Sequence, residues 1–514
     1  MVKQASGVVM AAPLAARDTR DTRRARVYGA LLDAIRGGTL PPGTRLPSSR
    51  QLAAEWGFAR GAVDEAFAQL QADGVVERRV GDGSYVAAAA AAIAPPAKAP
   101  TPVVRPLSRS AQQVLERFSA YLGKPQQTEL PHRMLSEQPL YPRAPTIAQF
   151  PLATWRKLIT RAHGDGYRDH LGYGAAAGLP RLREAIARHL ALTRATMVGA
   201  QQVIVVNSAL HALELIVRVL LEPGDKVWIE SPGQPGIVSL LRVLRSQVIG
   251  VPVDDDGLNV AAGRALAPDA AAVYFHPITQ FPLGVRTSAK RRAELLQWAE
   301  YSGAWIVEGN FNDEIVHDSR LPVALQNMDA SDRVLLMGTL EGIMFPSLRV
   351  AYLVVPERLV DVFTAMRGLL GDSTNAALQL ALAWFIDEGH LNAHLRQLRR
   401  GVRERRDALR ESGAKHLPPW ARLGPLEGGT HACLHLPAHL PDREVVRQLR
   451  ADGVLAVALS SCCFGEPARS GLVIGYGAFD PAAIDAAIGV IGEVLRRGAK
   501  AAPSSAHQAA GENK

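Results

Sequence analysis

The sequence is poor in cysteine and contains no long uncharged apolar run. Only three of its 514 residues are cysteine, which excludes a disulfide framework and a thiolate zinc finger. No run of about 18 apolar residues is free of charge, so no transmembrane helix is expected. The apolar stretch at residues 8–16 is short and arginines follow it at once, which predicts a disordered leader rather than a signal peptide. These absences favour a cytoplasmic protein without a membrane segment.

Composition divides the chain into a short and a long folded part. Hydrophobic residues make up 47% and charged residues 21%, as in globular proteins. The net charge of +9 is carried mainly by arginine, which suits phosphate contact. An Ala/Pro-rich segment near residues 87–103 has little to pack and is typical of a linker. The predicted division is a disordered leader at 1–22, a small domain at 23–86, a linker at 87–130, a large domain at 131–500 with a C-terminal subdomain from about residue 400, and a disordered tail at 501–514.

The small domain begins with two helical patterns. Val27, Leu31 and Ile35 recur every four residues and form one apolar face, which predicts a first helix. Ser48 and Gln51 have the spacing of a capping box, in which each side chain bonds the backbone near the other residue. A second helix is therefore expected to start there and to end at Gly57.

A third helix and a hairpin complete the small domain. The helix is predicted from about Arg60 to Asp73, and two short extended runs join at the turn of residues 81–83. This order is that of a winged helix-turn-helix, whose third helix enters the DNA major groove. Residues 17–86 carry 11 arginines and 9 acidic residues, so bulk charge is a weak argument and an arginine face on an interaction domain remains an alternative. The predicted DNA contacts are Ser48, Ser49, Arg50, Arg60, Gly61, Arg78, Arg79, Gly81 and Gly83.

The run RLPSSRQLAAEWGFARGAVDEAFAQLQADGVVERRVGDGSYV resembles the winged helix of the GntR family. It keeps the Pro-Ser-Ser-Arg helix start, the arginine of the third helix and the Gly-x-Gly-x-x-Val wing. The resemblance implies binding to double-stranded DNA. Two positions depart from the family: Ala59 replaces a serine, and Gly61 stands where asparagine is common. Both losses put the base preference in doubt.

The large domain alternates short apolar runs with helical patterns. QVIVV, KVWIE, AAVYF, AWIVE, RVLLMG and RVAYLVV are predicted strands. Strands that alternate with helices predict an α/β fold with a parallel sheet covered on both faces. Ligands of such sheets bind at the carboxyl ends of the strands.

This part resembles a fold-type I aminotransferase over some 350 residues. The blocks that carry the resemblance are YGAAAGLPRLREAIARHL, LLEPGDKVWIESPGQPG, HPITQFPLGVRTSAKRR and GTLEGIMFPSLRVAYLVVP. A GntR winged helix joined to this domain is the MocR architecture of bacterial transcription regulators. The resemblance implies pyridoxal 5'-phosphate as the family cofactor, a small anionic or amino-compound effector, and a homodimer formed through the large domain.

The resemblance also shows which cofactor contacts have changed. The family's lysine, which forms the aldimine, is Gly342 here, and the serine before it is Glu341. The carboxylate for the pyridine nitrogen is replaced by Gly309, and the phenol for the ring oxygen by Phe311. Gln234 stands where the family has a ring-stacking tyrosine.

The phosphate-binding positions are partly kept. The family's Gly-Ala-Gln loop reads Ser208-Ala209-Leu210, whereas Thr339 and the phosphate arginine, Arg349, match the family. We therefore expect no catalytic residue, no metal and no covalently held cofactor, because glycine cannot form an imine. The alternatives are a regulator that binds pyridoxal phosphate and an active aminotransferase. The changed pocket either binds another anion through Arg349 or serves only in dimerisation.

Overall fold

The computed structural model describes residues 23–92, 108, 111–112, 138–142, 144, 146–311, 313–317, 321–371, 373–465 and 469–501. The chain divides into two compact units, Met1–Pro106 and Leu107–Lys514, which are considered separately. Within the described residues, no helix has both the length and the apolar character that crossing a membrane requires. The predicted leader, most of the predicted linker and nearly all of the predicted tail lie outside the described residues.

Three helices and a hairpin form the first unit. They are α1 (Arg23–Arg36), α2 (Ser49–Trp56), α3 (Arg60–Ala72), β1 (Val76–Arg79) and β2 (Gly83–Val86). The strands pair antiparallel, with Val76 opposite Val86. This is the predicted winged helix-turn-helix, although the second strand begins at Gly83, inside the predicted turn.

Local caps fix both ends of α2, as the sequence indicated. The Ser48 side chain accepts a hydrogen bond from the Gln51 backbone, and the Gln51 side chain accepts one from the Ser48 backbone. Gly57 ends the helix with φ at 70°, a left-handed conformation that favours glycine. Ala59, the N-cap of α3, provides no side-chain hydrogen bond. Trp56 is buried in the core of this unit.

A short 3-10 helix follows the second strand of the wing. It is formed by residues 88–92, at the start of the predicted linker. The Ala87 backbone N–H donates to the Val75 carbonyl, and Ala90 is buried against the core of this unit. The first residues after the wing therefore pack against the winged helix.

The second unit is built on an eight-stranded sheet. Its strands are β3 (Val203–Val206), β4 (Lys226–Ser231), β5 (Gln247–Asp254), β6 (Gly257–Leu258), β7 (Ala272–Phe275), β8 (Trp305–Phe311), β9 (Val334–Thr339) and β10 (Ala351–Val354), in the order β3-β10-β9-β8-β7-β4-β5-β6. Alternate residues of β3 face two different cores: Val203 and Val205 point into one, and Ile204 and Val206 into the other. The sheet is therefore covered on both faces, as expected.

The sheet is mixed rather than wholly parallel, which corrects the prediction. Strand β10 runs antiparallel to both of its neighbours, β3 and β9. Only residues 340–350 connect β9 to β10, and a parallel crossover requires a dozen or more residues and usually a helix. Strand β5 was not predicted from the sequence, because Gly250 and Pro252 interrupt its apolar pattern.

Helices flank this sheet, and a smaller antiparallel sheet follows it. The helices are α4 (Leu152–Ala162), α5 (Pro180–Arg194), α6 (Ala209–Leu220), α7 (Pro235–Val243), α8 (Val260–Leu266), α9 (Ala289–Ser302), α10 (Val360–Leu369), α11 (Ala376–Asp387), α12 (His390–His416), α13 (Asp442–Ala451) and α14 (Pro481–Ala501). The smaller sheet has the order β11-β12-β14-β13, from β11 (Arg422–Leu423), β12 (His431–His435), β14 (Gly471–Gly475) and β13 (Val457–Ala458). The long helix α12 packs along α14 and forms the base of this C-terminal subdomain.

The C-terminal subdomain lies against the carboxyl ends of β4 and β5. The Phe464 backbone N–H donates to the Ser231 hydroxyl at 2.9 Å, and the Gly233 N–H donates to the Cys462 carbonyl at 2.8 Å. A Cβ atom on Gly250 would lie only 1.5 Å from the Phe464 carbonyl oxygen, so this backbone contact requires glycine. One side of the region where the resemblance places a ligand is thus covered by protein.

Candidate functional site

The predicted DNA-contact arginines are exposed, but two of them are paired with acidic residues. The Arg60 Nε atom lies 3.5 Å from Asp64 Oδ2, and the Arg60 side chain is 67% exposed. The Arg79 Nη2 atom lies 2.6 Å from Glu77 Oε1. Exposed ion pairs of this kind are worth little, so both arginines can exchange their partner for a phosphate.

The other predicted DNA contacts differ in their exposure and in their hydrogen bonds within the protein. Arg50 and Arg78 are exposed and have no ion pair among the described residues. Ser48 is used by its capping box and Ser49 is half-buried, whereas Gly61 is exposed at the start of α3. Gly81 and Gly83 have φ values of 78° and 127°, which bend the wing.

Arg45, in the segment before α2, contacts the wing and was not predicted from the sequence. Its Nη2 atom donates to the Asp82 carbonyl at 2.5 Å, and a Cβ on Gly83 would lie 3.2 Å from its Nε atom. Arg45 therefore ties the segment before α2 to the wing. Its place in the sequence, just before the Pro-Ser-Ser-Arg motif, was the only available signal.

The segments predicted to hold the cofactor phosphate meet at one edge of the large sheet. Ala351, at the start of β10, is paired with Val206 at the end of β3 and with Thr339 at the end of β9. Ser208, at the start of α6, and Arg349 therefore flank the same edge. The sequence-based placement of these segments agrees with the register of the strands.

Arg349 has an acidic partner from its own chain at this edge. Its Nη1 atom lies 3.4 Å from Glu341 Oε1, and the Glu341 side chain is only 20% exposed. Burial raises the pKa of Glu341, whereas the Arg349 guanidinium opposes that rise. The Glu341 backbone N–H donates to Thr339 Oγ1 at 3.0 Å, which holds the carboxylate in place.

Gly309 lies in β8 where no side chain fits. A Cβ atom there would lie 2.8 Å from both Cδ2 and Nε2 of His276, and 3.2 Å from Cε2 of Phe311. The His276 and Phe311 rings themselves pack with their centroids 5.0 Å apart. An aspartate at position 309 would therefore require His276 to move.

His276 is fixed by two buried partners. Its backbone N–H donates to Glu230 Oε2 at 3.1 Å, and its Nδ1 atom lies 3.4 Å from the same oxygen. The Tyr274 hydroxyl lies 3.0 Å from His276 Nε2. With the proton on Nδ1, Glu230 Oε2 accepts and the Tyr274 hydroxyl donates to Nε2, whereas Glu230 Oε1 has no hydrogen-bond partner among the described residues. Burial raises the pKa of Glu230 and of Tyr274.

Three further predicted positions, Gln234, Ser208 and Ala209, lie where helices start. Gln234 is the N-cap of α7, without a side-chain cap, and lines a cavity of about 10 Å³ together with Glu230 and Tyr274. This volume is close to the room that one water molecule needs. Ser208 is the N-cap of α6, and its hydroxyl accepts from the His211 N–H at 3.1 Å, while Ala209 follows as the first residue of the helix.

A buried ionic cluster supports β8 below these residues. The Arg194 Nη2 atom lies 2.5 Å from Glu308 Oε1, and its Nη1 atom lies 3.4 Å from Asp313 Oδ2. The Thr279 hydroxyl donates to Asp313 Oδ1 at 2.9 Å, and the Leu325 N–H donates to Glu308 Oε2 at 2.8 Å. Burial raises the pKa of Asp313 to about 8, although Arg194 opposes the rise.

Sequence reasoning did not identify His276, Glu230 or Arg194. The signal available for the first two was a titratable residue directly after or at the end of a buried apolar run, in AAVYFH and KVWIE. Nothing in the sequence indicated Arg194, because its partner carboxylates lie more than a hundred residues away.

Comparison with known proteins agrees with this two-part architecture. The family described as "Bacterial regulatory proteins, gntR family" matches residues 23–86, and "Aminotransferase class I and II" matches residues 144–491. The structure of a kynurenine aminotransferase from Pyrococcus horikoshii superposes with a TM-score of 0.66 at 21% identity, over 73% of this chain and 96% of that one. The fold and the site define a DNA-binding regulator with a winged helix and a fold-type I aminotransferase-like domain.

Two curated relatives share the whole architecture. The chain is 32% identical to the probable rhizopine catabolism regulatory protein MocR of Rhizobium meliloti, over 90% of this chain and 92% of the relative. It is 31% identical to the pyridoxine biosynthesis transcriptional regulator PdxR of Corynebacterium glutamicum, over 86% and 89%. The chain therefore belongs to the MocR-type regulators of the GntR family, whose large domain is of the class that uses pyridoxal phosphate.

The raised pKa of Asp313 predicts a pH-dependent stability. Between pH of about 4 and 8 the folded protein keeps a proton on Asp313 that the unfolded chain releases, so stability falls as pH rises through this window. Asp313→Asn, which stays neutral, removes this dependence, worth on the order of 1.4 kcal/mol per pH unit. Urea unfolding followed by tryptophan fluorescence at several pH values measures it. Asp361→Asn, at an exposed position of α10, is the control, and equal slopes for Asp313→Asn and wild type would contradict the prediction.

Proposed function

We propose that this protein is a transcription regulator whose aminotransferase-like domain has lost transamination and does not bind pyridoxal phosphate as an aldimine. The observation that carries the proposal is the position of His276. Its ring fills the space beside Gly309 in which the resemblance expects a carboxylate. The fixed hydrogen bonds of His276 make this filling part of the folded structure.

The chain offers no amine at the matching position. Gly342 lies in the turn after β9 and has no side chain. The lysines with described side chains are all elsewhere: Lys157 is exposed on α4, Lys226 starts β4 and pairs with Asp269 at 2.7 Å, and Lys290 and Lys415 lie on helices beside acidic partners. Because transamination also needs the lysine to move a proton, its loss argues against the enzymatic alternative.

The phosphate position argues in the same direction. The carboxylate of Glu341 already lies against Arg349 and would repel a phosphate placed there. An anionic effector would have to displace this carboxylate from the guanidinium. This competition favours a large domain that acts mainly in dimerisation over one that senses anions through Arg349.

An exposed apolar surface supports dimerisation through the large domain. Leu171 and Tyr173 are 70% and 109% exposed, and Leu369 at the end of α10 is 81% exposed. These segments adjoin one another, because the Arg367 guanidinium donates to the Ala176 carbonyl. Large exposed apolar residues that lie together indicate an interaction surface, and the fold family supplies a second copy as the expected partner.

Cofactor binding can be tested directly by spectroscopy. Purified protein titrated with equimolar pyridoxal phosphate is expected to develop no aldimine absorption band. Borohydride reduction should then add no mass, because no lysine with a described side chain lies at the site. An active aminotransferase treated in parallel is the positive control. A reduced adduct on a lysine of the large unit, or amino-group transfer by the purified protein, would contradict the proposal.

Arg60 is expected to contribute directly to operator binding. Arg60→Ala should weaken binding to a selected duplex by about 1–3 kcal/mol if the guanidinium makes a bidentate base contact. Fluorescence anisotropy at low and moderate salt measures the loss. Arg36→Ala, at the exposed end of α1, removes the same charge outside the helix-turn-helix and should change affinity little. Equal affinities of Arg60→Ala and wild type would remove Arg60 from the interface.

Dimerisation can be tested at the apolar surface. Leu369→Glu places a charge where we expect a second copy to bury an apolar side chain, so the mass measured by light scattering should fall from twice 55.2 kDa to 55.2 kDa. Leu192→Glu, also at an 81% exposed leucine, is the matched control and should remain dimeric. A dimeric Leu369→Glu variant would place the interface elsewhere.

A further inference from the structure

The outward face of the recognition helix α3 carries two acidic side chains, Asp64 and Glu65, which is unusual for a surface that binds DNA. Its inward face is formed by Val63, Ala66, Phe67 and Leu70, all buried in the core of the winged helix. On the opposite side, in the first turns that enter the major groove, the long side chains are Arg60, Asp64 and Glu65.

Small residues lie between these long side chains. Gly61 and Ala68 occupy the middle of the outward face, and no atom lies within 4 Å of a Cβ built on Gly61. The helix backbone can therefore approach the base edges closely. Under these conditions the acidic side chains of this face can reach into the groove.

The two carboxylates are not equivalent. Asp64 Oδ2 lies 3.5 Å from Arg60 Nε, so this carboxylate orients the arginine. Glu65 is exposed, and within residues 23–92 no hydrogen bond or ion pair engages its side chain. Glu65 is therefore the carboxylate that remains available to a base.

A carboxylate can only accept hydrogen bonds in the major groove. Guanine presents two acceptors there and thymine presents an acceptor and a methyl group, so both repel it. Adenine offers an amino group but places the N7 acceptor beside it. Cytosine presents its N4 amino group without such an acceptor and is the base that a carboxylate selects.

We propose that Glu65 is a specificity-determining residue that selects cytosine in the operator half-site. This inference rests on the DNA-binding function of the winged helix. The carboxylate weakens contact with phosphates in general, and residues 17–86 have an excess of only two basic residues over acidic ones. Binding therefore depends strongly on whether the base opposite Glu65 donates a hydrogen bond.

Selection from duplexes with randomised centres, performed with the full-length protein, tests the inference. The wild type should enrich one cytosine per half-site at a position where Glu65→Ala shows no preference. At this position wild type should discriminate cytosine from other bases by about tenfold. Glu65→Gln should shift the preference toward adenine, because glutamine both donates and accepts. The remaining positions of the consensus should be unchanged in both variants.

Glu55→Gln is the charge-matched control, because Glu55 is exposed on the neighbouring helix α2. It should retain the cytosine and raise affinity for all duplexes by the same factor. A Glu65→Ala variant that selects the wild-type consensus, cytosine included, would overturn the inference while leaving DNA binding intact. A wild-type protein that selects no consensus would overturn both the inference and sequence-specific binding.

Discussion

The packing of His276 beside Gly309 is the contact on which the carboxyl edge of the large sheet depends. The histidine ring occupies the space that a side chain at position 309 would need, and Glu230 and Tyr274 hold it there. All of these groups are buried, so breaking the arrangement would leave polar atoms without their present partners. The space beside Gly309, where the resemblance places a carboxylate, is thus filled by a side chain of the protein itself.

The ion pair between Glu341 and Arg349 follows the same physical rule. A guanidinium at the edge of a sheet needs an anion, and here the chain supplies its own carboxylate. The internal partner is always present at high effective concentration, whereas a free ligand must also overcome the entropy of association. An internal carboxylate beside Arg349 supports the proposal that the large domain works without a covalently held cofactor.

Local signals in the sequence predicted most of the elements, but contacts between distant segments escaped it. The ends of α2 followed from Ser48, Gln51 and Gly57, because capping involves only neighbouring residues. The direction of β10 did not follow, since a strand that is buried on both faces has the same composition in either direction. At the site, the match of Gly309 and Gly342 to cofactor-binding positions could be inferred from flanking motifs, and it stays a prediction. The residue that fills the space, His276, could not, because it reaches Gly309 only through the pairing of β7 with β8.

The winged helix carries little net positive charge, which gives this protein a reason to bind DNA as a dimer. Residues 17–86 carry only two more basic than acidic residues, so a single winged helix gains little from phosphates. Joining two of them through the proposed dimer makes the second binding event intramolecular, so the two modest affinities combine. Specificity then rests on the few base contacts of each recognition helix, since weak general attraction leaves nonspecific sites poorly bound. A large domain that only holds two such helices together would therefore contribute to regulation without performing any chemistry.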